Sequence, residues 1–207
     1  MTSSESGRSY WDRHAKNYER SMALLGKPLP RVLAQVRDAV NGANRALEVA
    51  AGTGLFTVEI APRVTELVAT DYSPAMLELL RARTAEHGLK NVRSIAAGIH
   101  ALPFDAQSFD VVVAANVLHL LPDLPRALAE LKRVLRPNGV FVAPTFCHDE
   151  TRLSWLVSRA LAVTGFPSQR RFTARSLRTA LESAGFVVRR QETVSGVIPI
   201  VFVEAGP

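Results

Sequence analysis

Between residues 45 and 146, short apolar runs alternate with segments of helical period, and no other feature constrains the fold as much. "RALEVA" (45–50), "ELVATD" (66–71), "NVRSIAA" (91–97), "FDVVVAA" (109–115) and "VFVAPTF" (140–146) read as strands. The unbroken apolar character of the fourth fits a strand covered on both faces. Helices are expected over Leu55–Ala61, 74–87 and 123–136. Ser73 caps the second of these and Pro74 opens it, while Gly88 ends it. Asp123 caps the third, which carries Leu124, Leu128, Leu131 and Leu135 on one face. "PNG" (137–139) reads as a turn. Strand–helix alternation of this kind implies a parallel, doubly wound α/β sheet with helices on both faces.

Outside that stretch the pattern changes. A helix is expected from Ser9 to Met22 and another after Pro30, with Val32, Leu33, Val36 and Val40 at helical spacing. "NGAN" (41–44) breaks it, and residues 1–8 read as disordered. Helix 150–163 is expected to turn Leu153, Leu156, Val157, Ala160 and Leu161 inward. Helix 173–184 follows, capped by Thr173 and stopped by Gly185. "FVVRRQETV" and "IPIVFVEA" have no helix between them and are expected to pair antiparallel. The whole makes a seven-stranded, mostly parallel sheet in a single domain over 9–207. Residues 9–41 supply N-terminal helices, and 146–168 a lid.

Composition narrows the class. With 207 residues and 47% apolar content, the chain is long enough for one real core. One cysteine, Cys147, excludes a disulfide framework within it. No apolar run approaches the ~18 residues of a membrane span, and the start has no signal-type core. The expected location is cytoplasmic, with peripheral membrane contact and oligomeric state left open. The formal net charge of +6 is spread out, its densest groups being the pairs Arg170-Arg171 and Arg189-Arg190. That reads as a solvated basic surface rather than a nucleic-acid site. Cys147, His148 and Asp149 are consecutive, which is not a zinc-ligand spacing, so no metal is expected.

The loop "ALEVAAGTG" (46–54) carries the functional question. Gly52 and Gly54 are followed by Thr57, so the third glycine of a dinucleotide fingerprint is missing. A bare strand-to-helix turn and a nucleotide loop both fit it. Asp71, about 20 residues on at the next strand end, is placed to accept hydrogen bonds from ribose hydroxyls. Loop and acid together favour an adenosine-bearing ligand.

"ALEVAAGTG", "LVATDYSPAMLE", "ALPFDAQSFDVVVAANVLHLLPD" and "ALAELKRVLRPNGVFV" stand in the order and spacing of the class I S-adenosylmethionine-dependent methyltransferases. The small-molecule branch with the ubiquinone/menaquinone-type enzymes resembles the chain most, over residues 9 to 145. That resemblance implies a Rossmann-like fold, S-adenosyl-L-methionine as cofactor and a small-molecule acceptor. Glu48 would hold the cofactor's amino group, and Ala50, Gly52, Thr53 and Gly54 would approach its methionine part. Ala50 replaces a family glycine, which is tolerable if its φ is negative. Asp71 would hold the ribose, with Tyr72 and Met76 packing on the adenine. Gly98 falls where the family often has an adenine-binding aspartate, leaving the backbone at Gly98 and Ile99 for that contact. Asn116 would border the cofactor and Tyr18 would cover it.

On the acceptor side, His119 and His148 are candidate general bases beyond the fourth and fifth strands. Trp11, Phe146, Trp155 and Phe166 are candidate walls of a partly hydrophobic pocket. The nucleophile is left open among O, N and S. A nucleic-acid methyltransferase is the alternative suggested by the charge. "AANVLHLL" after the fourth strand lacks the Asn/Asp-Pro-Pro-aromatic motif usual in the amino-group-modifying type. A non-enzymatic binding protein of the same fold is the other alternative, suggested by Ala50 and Gly98.

Overall fold

The computed structural model describes residues 11–12, 28–163 and 169–207. The expected helix Ser9–Met22 and the disorder of residues 1–8 lie mostly or wholly outside them, as do Tyr18 and Phe166. Trp11 and Asp12 are helical.

After α1 (Leu29–Val40), the chain alternates β1 (Arg45–Val49), α2 (Thr57–Ile60), β2 (Glu66–Asp71), α3 (Pro74–Glu86) and β3 (Val92–Ala96). It continues with β4 (Phe109–Val113), α4 (Leu124–Val134), β5 (Leu135–Val142), β6 (Thr145–Phe146) and α5 (Arg152–Val163). It ends with α6 (Ala174–Ser183), β7 (Val187–Val194) and β8 (Ile200–Gly206). The strands form one sheet in the order β3-β2-β1-β4-β5-β8-β6, with β7 on β8. The pairs among β1 to β5 are parallel, and those made by β8 are antiparallel.

Alternation along each strand splits the core in two. Leu47, Val49, Val112, Phe141 and Ala143 face α4 and α6, whose Leu128, Leu131, Leu177 and Leu181 are buried against them. Ala46, Leu67, Val111, Val113 and Val142 face α1 and α2, meeting Val32, Val36, Val40 and Ile60. Each fully buried leucine contributes roughly 1.5–3 kcal/mol of transfer free energy. Helices on both faces leave the loops at the strand ends as the open surface.

Local signals place the helix starts. Ser73 accepts from the Met76 backbone N–H at 3.2 Å, and Asp123 from that of Arg126 at 3.1 Å. Thr173 and Ser176 form a reciprocal capping box at α6.

Four expectations need correction. The sheet has eight strands, because β5 stops at Val142 and Thr145–Phe146 pair separately with β8. "PNG" is not a turn but part of β5. Leu135 pairs with Phe109 and Val140 with Val111, so the intervening residues bulge out of the ladder. The helix expected over Leu55–Ala61 has only one α turn, followed by a 3-10 turn at Ala61–Arg63. Finally, α5 turns the other way. Leu153 and Leu156 are 56% and 59% exposed, while Ser154 and Ser158 are buried. Ser154 is held inward by Thr151, which donates to it at 2.9 Å and accepts its N–H at 3.0 Å.

Candidate active site

The chain builds β1, β2 and β3 outward in one direction and then returns to lay β4 on the other side of β1. Loops leaving β1 and β4 therefore diverge, which opens a crevice at their carboxyl ends.

The loop after β1 lines one wall. Ala51 donates to the Thr70 carbonyl at 2.9 Å, and Gly52 donates to Asp71 Oδ2 at 2.9 Å. These two bonds turn the backbone back over β2. Ala50, Gly52 and Gly54 all have positive φ, at +50°, +57° and +84°. The condition for an unstrained alanine, a negative φ, is thus not met at Ala50. The loop needs the left-handed conformation there, and an alanine bears the strain. Left-handed backbone costs a residue with a Cβ about 1–2 kcal/mol, partly offset by glycine's greater entropy loss. Ala50→Gly is expected to stabilise the protein by roughly 0.5–1 kcal/mol in chemical denaturation. A destabilised variant would show that the Ala50 methyl, which packs on the core, outweighs the strain. Gly54 has a separate constraint, since a Cβ there would stand 3.2 Å from Leu80 Cγ of α3.

Glu48 and Asp71 lie beside this loop. Glu48 is buried, and its Oε2 accepts from Thr57 Oγ1 at 2.6 Å. Burial pushes its carboxyl up to about 8, against the Thr57 bond and with help from the charge of Asp71. At neutral pH the group is mostly neutral. Burial also raises Asp71, although N–H bonds from Ser73, Gly52 and Tyr72 oppose the shift. Asp71 spends Oδ1 on the Ser73 N–H at 2.9 Å and Oδ2 on Gly52, so it organises the loop as well as facing the crevice. Two carboxyls of raised proton affinity form a site that gains from a cationic guest.

Tyr72 is half-buried beside Asp71, and Met76 and Ile99 are buried. A Cβ at Gly98 would meet nothing within 4 Å, so the position is open. Asp12 was not foreseen. Its carboxylate accepts from Ser73 Oγ and adds a like charge near Asp71, which brings the Trp11–Asp12 segment to the end of β2. A single aspartate far from any motif carries no sequence signal for that contact.

The loop after β4 forms the other wall. Asn116 is buried with φ +52°, and its N–H donates to the Pro144 carbonyl at 2.7 Å. Neither polar atom of its side chain has a partner among the described residues. A buried, unpaired amide on strained backbone is costly unless a ligand completes it. Thr53 Oγ1, in the β1 loop, is likewise buried and unpartnered among the described residues.

His119, Phe146 and His148 come together here. The two imidazoles are 5.2 Å apart, centroid to centroid, and Phe146 meets His119 edge-on at 6.0 Å. Burial pushes His119 down to about 3, and burial with the Arg171 charge pushes His148 down to about 4. Both are neutral near pH 7 and add no repulsion to a bound cation. Cys147 is buried and pushed up to about 12, which keeps its thiol protonated. Trp155 does not join this group. It is 43% exposed, with the Arg159 guanidinium 5.0 Å from its ring centroid. Trp11 is half-buried near Asp12. Among the described residues no cluster of His, Cys, Asp or Glu could hold a metal ion, and no helix is long and apolar enough to cross a membrane.

A doubly wound sheet with a glycine-containing loop after β1 and an acid ending β2 defines the Rossmann-like class that takes an adenosine-bearing ligand at this crevice. Residues 47–143 match the family model described as a methyltransferase domain. The chain is 34% identical over 153 residues to a malonyl-[acyl-carrier protein] O-methyltransferase of Halorhodospira halophila, covering 72% of this chain and 51% of that protein. It is 35% identical over 139 residues to a demethylmenaquinone methyltransferase of Clavibacter sepedonicus, covering 66% of this chain and 56% of that protein. The chain thus spans about half the length of these curated relatives. A crystal structure described as a SAM-dependent methyltransferase from Aquifex aeolicus has the same fold, with TM-score 0.73 and 22% identity. That likeness covers 94% of this chain and 97% of that one. Residues 47–143 thus match the methyltransferase-domain family, and the fold is that of a solved SAM-dependent methyltransferase.

Proposed function

We propose that the chain transfers a methyl group from S-adenosylmethionine to an O, N or S nucleophile of a small, partly hydrophobic acceptor. The observation that carries the reading is Asn116, whose buried amide stands unpaired among the described residues, on left-handed backbone where the β1 and β4 loops part. The residues present fit the cofactor. Glu48 is buried beside the loop for an ammonium, Asp71 ends β2 for ribose hydroxyls, and Gly98 leaves open space beside the buried Ile99 for adenine. When bound, the cofactor supplies a methyl group already activated by its sulfonium.

The protein's own part is then mostly placement. Holding two reactants in line contributes on the order of 7–11 kcal/mol. The Gly52–Asp71 bond fixes the loop, and Phe146 and the neutral imidazoles wall the acceptor side. With the cofactor bound, Asn116 and the β1 loop would hold the methyl group, and the Phe146 side would hold the acceptor's nucleophile in line with it. A proton on the acceptor goes to His148 Nε2, which is buried and has no other partner among the described residues. Burial and the Arg171 charge, which lower His148 to about 4, keep it neutral near pH 7 and make it a weak base.

Calorimetry with S-adenosylmethionine and S-adenosylhomocysteine tests the cofactor half, and a methyl-transfer screen read by homocysteine-side product tests the rest. Binding of both, with turnover on a small phenol, amine or thiol, is the expected result. Failure to bind either ligand would end the proposal. Binding without any transfer would leave a non-enzymatic binding protein.

A further inference from the structure

We propose that the outward face of α5 docks on an anionic lipid bilayer: Leu153, Trp155 and Leu156 enter its interface, and Arg152 and Arg159 meet its headgroups. Five large apolar side chains stand exposed among the described residues, and three of them fall within four positions of α5. Scattered exposed apolar residues are ordinary, whereas a cluster marks an interaction surface. Polar bonds hold the cluster outward. Ser154 is used by the cap with Thr151, and Ser158 Oγ lies 2.7 Å from His148 Nδ1. At about 3.6 residues per turn, Arg152, Leu156 and Arg159 lie opposite those two serines, flanked by Leu153 and Trp155. Arg152 and Arg159 are exposed, and the Arg159 guanidinium stands 5.0 Å from the Trp155 ring centroid. Leucines, a tryptophan and arginines on one face suit a helix lying in a membrane interface, where arginine stems pack on apolar surface and their charged ends reach phosphates.

Charge selects the kind of membrane. From Thr151 to Leu181 the chain holds six arginines and no aspartate, glutamate or lysine. The whole formal excess of +6 therefore lies in this stretch, and the rest of the chain is balanced. Bases are spread along the sequence, but acids are excluded here. Glu150, just before α5, is spent on the Ala174 N–H at 2.6 Å, which brings the start of α6 beside the start of α5. Arg175, next along the chain, is exposed. Other occupants fit this face less well. A second copy packed face to face would set the same cations against each other. An RNA would pair with the arginines but leave the leucines in water. An anionic bilayer satisfies both. Among the described residues no helix is long and apolar enough to cross a membrane, so α5 would lie along the surface.

The test sediments full-length protein with vesicles of equimolar phosphatidylcholine and phosphatidylglycerol, and with phosphatidylcholine alone, while tryptophan emission is recorded. Binding to the mixed vesicles is expected to be tighter by about tenfold or more and to weaken as salt is raised. A blue shift on binding is expected, and Trp155→Phe should abolish it. Leu153→Gln combined with Leu156→Gln is expected to weaken binding by about tenfold or more. Arg152→Gln combined with Arg159→Gln should remove the preference for the anionic vesicle. All these side chains lie outside the core, so circular dichroism should match wild type. Should a double variant misfold, the conservative Trp155→Phe still reads insertion. Failure to bind the mixed vesicles, undiminished binding in the leucine variant, or a blue shift that survives Trp155→Phe would overturn the proposal. So would a dimer in vesicle-free sedimentation velocity that the leucine variant dissociates, since a second copy would then cover the face. Binding of single-stranded RNA without vesicle binding would overturn it in favour of nucleic acid. The test uses no cofactor, so its outcome is independent of the methyltransferase reading.

Discussion

Glu48→Gln is expected to stabilise the ligand-free protein above pH 8 and to cripple cofactor binding. The two effects share one cause. The Glu48 carboxyl titrates near 8 in the folded protein and near 4.5 when unfolded. A raised carboxyl favours folding fully below pH 4.5, and that contribution fades as pH rises toward 8. Each tenfold change in proton affinity is worth about 1.36 kcal/mol, so the loss amounts to roughly 3 kcal/mol once water penetration is allowed for. Glutamine cannot ionise, and its Oε1 still accepts from Thr57. Denaturation curves for Glu48→Gln should diverge from wild type between about pH 5 and 8.5, the variant being the more stable at the upper end. A ligand ammonium does in the wild type what the proton does in the empty site. Losing that charged contact costs about 1.5–3 kcal/mol, which is about 10- to 150-fold in affinity. Calorimetry in buffers of different ionisation heat should also show proton release on binding at pH 7 in wild type and none in the variant. A pH-independent stability difference would refute the assignment.

Asp71→Ala has the second large effect, and it acts at two levels. The substitution removes the acceptor of the Gly52 and Ser73 N–H groups, both of which sit in the crevice wall. It also removes the carboxylate proposed to meet the ribose. Affinity for S-adenosylhomocysteine is expected to fall by about 1.5–3 kcal/mol, the scale of one charged hydrogen bond. Asp71→Asn separates the two levels. Its Oδ1 retains one backbone bond, but its amide faces the other N–H with a second donor. An Asn variant that binds like wild type, beside an Ala variant that does not, would make Asp71 an organiser of the loop and remove it from ligand binding. Unchanged affinity in both variants would exclude either role.

Much of the fold is legible in the residues, for identifiable reasons. Strands β1 to β4 and their parallel order follow from apolar runs separated by helical period, because both faces of the sheet are covered. Ser73, Asp123 and Thr173 announce their helices because capping is a local interaction. What escapes depends on distant partners. The φ of Ala50 is set by bonds from Ala51 and Gly52 to β2, about 20 residues away, and no local rule contains them. Turn chemistry points to a loop at "PNG", but pairing of both flanks with β4 draws it into a strand. The apolar stripe of α5 misleads for a similar reason. Its capping box and His148 select the serine face, and neither is visible in periodicity. In the site, Asp71 and the glycine loop are readable from spacing. Asp12 and Ser158 are not, since each acquires its position only through a tertiary contact.

The place of β1 between β2 and β4 has one more consequence. The groups proposed to meet the cofactor fall mainly between Glu48 and Ile99, whereas those proposed to meet the acceptor fall between His119 and His148. The matched family domain ends at residue 143, before Phe146, His148 and α5. On the proposed reading, the groups for cofactor and acceptor occupy largely successive stretches of chain. If the proposed assignments hold, exchanging the segment that carries Phe146, His148 and α5 between members is expected to change the acceptor while cofactor affinity stays within about twofold, which calorimetry and a methyl-transfer screen would read.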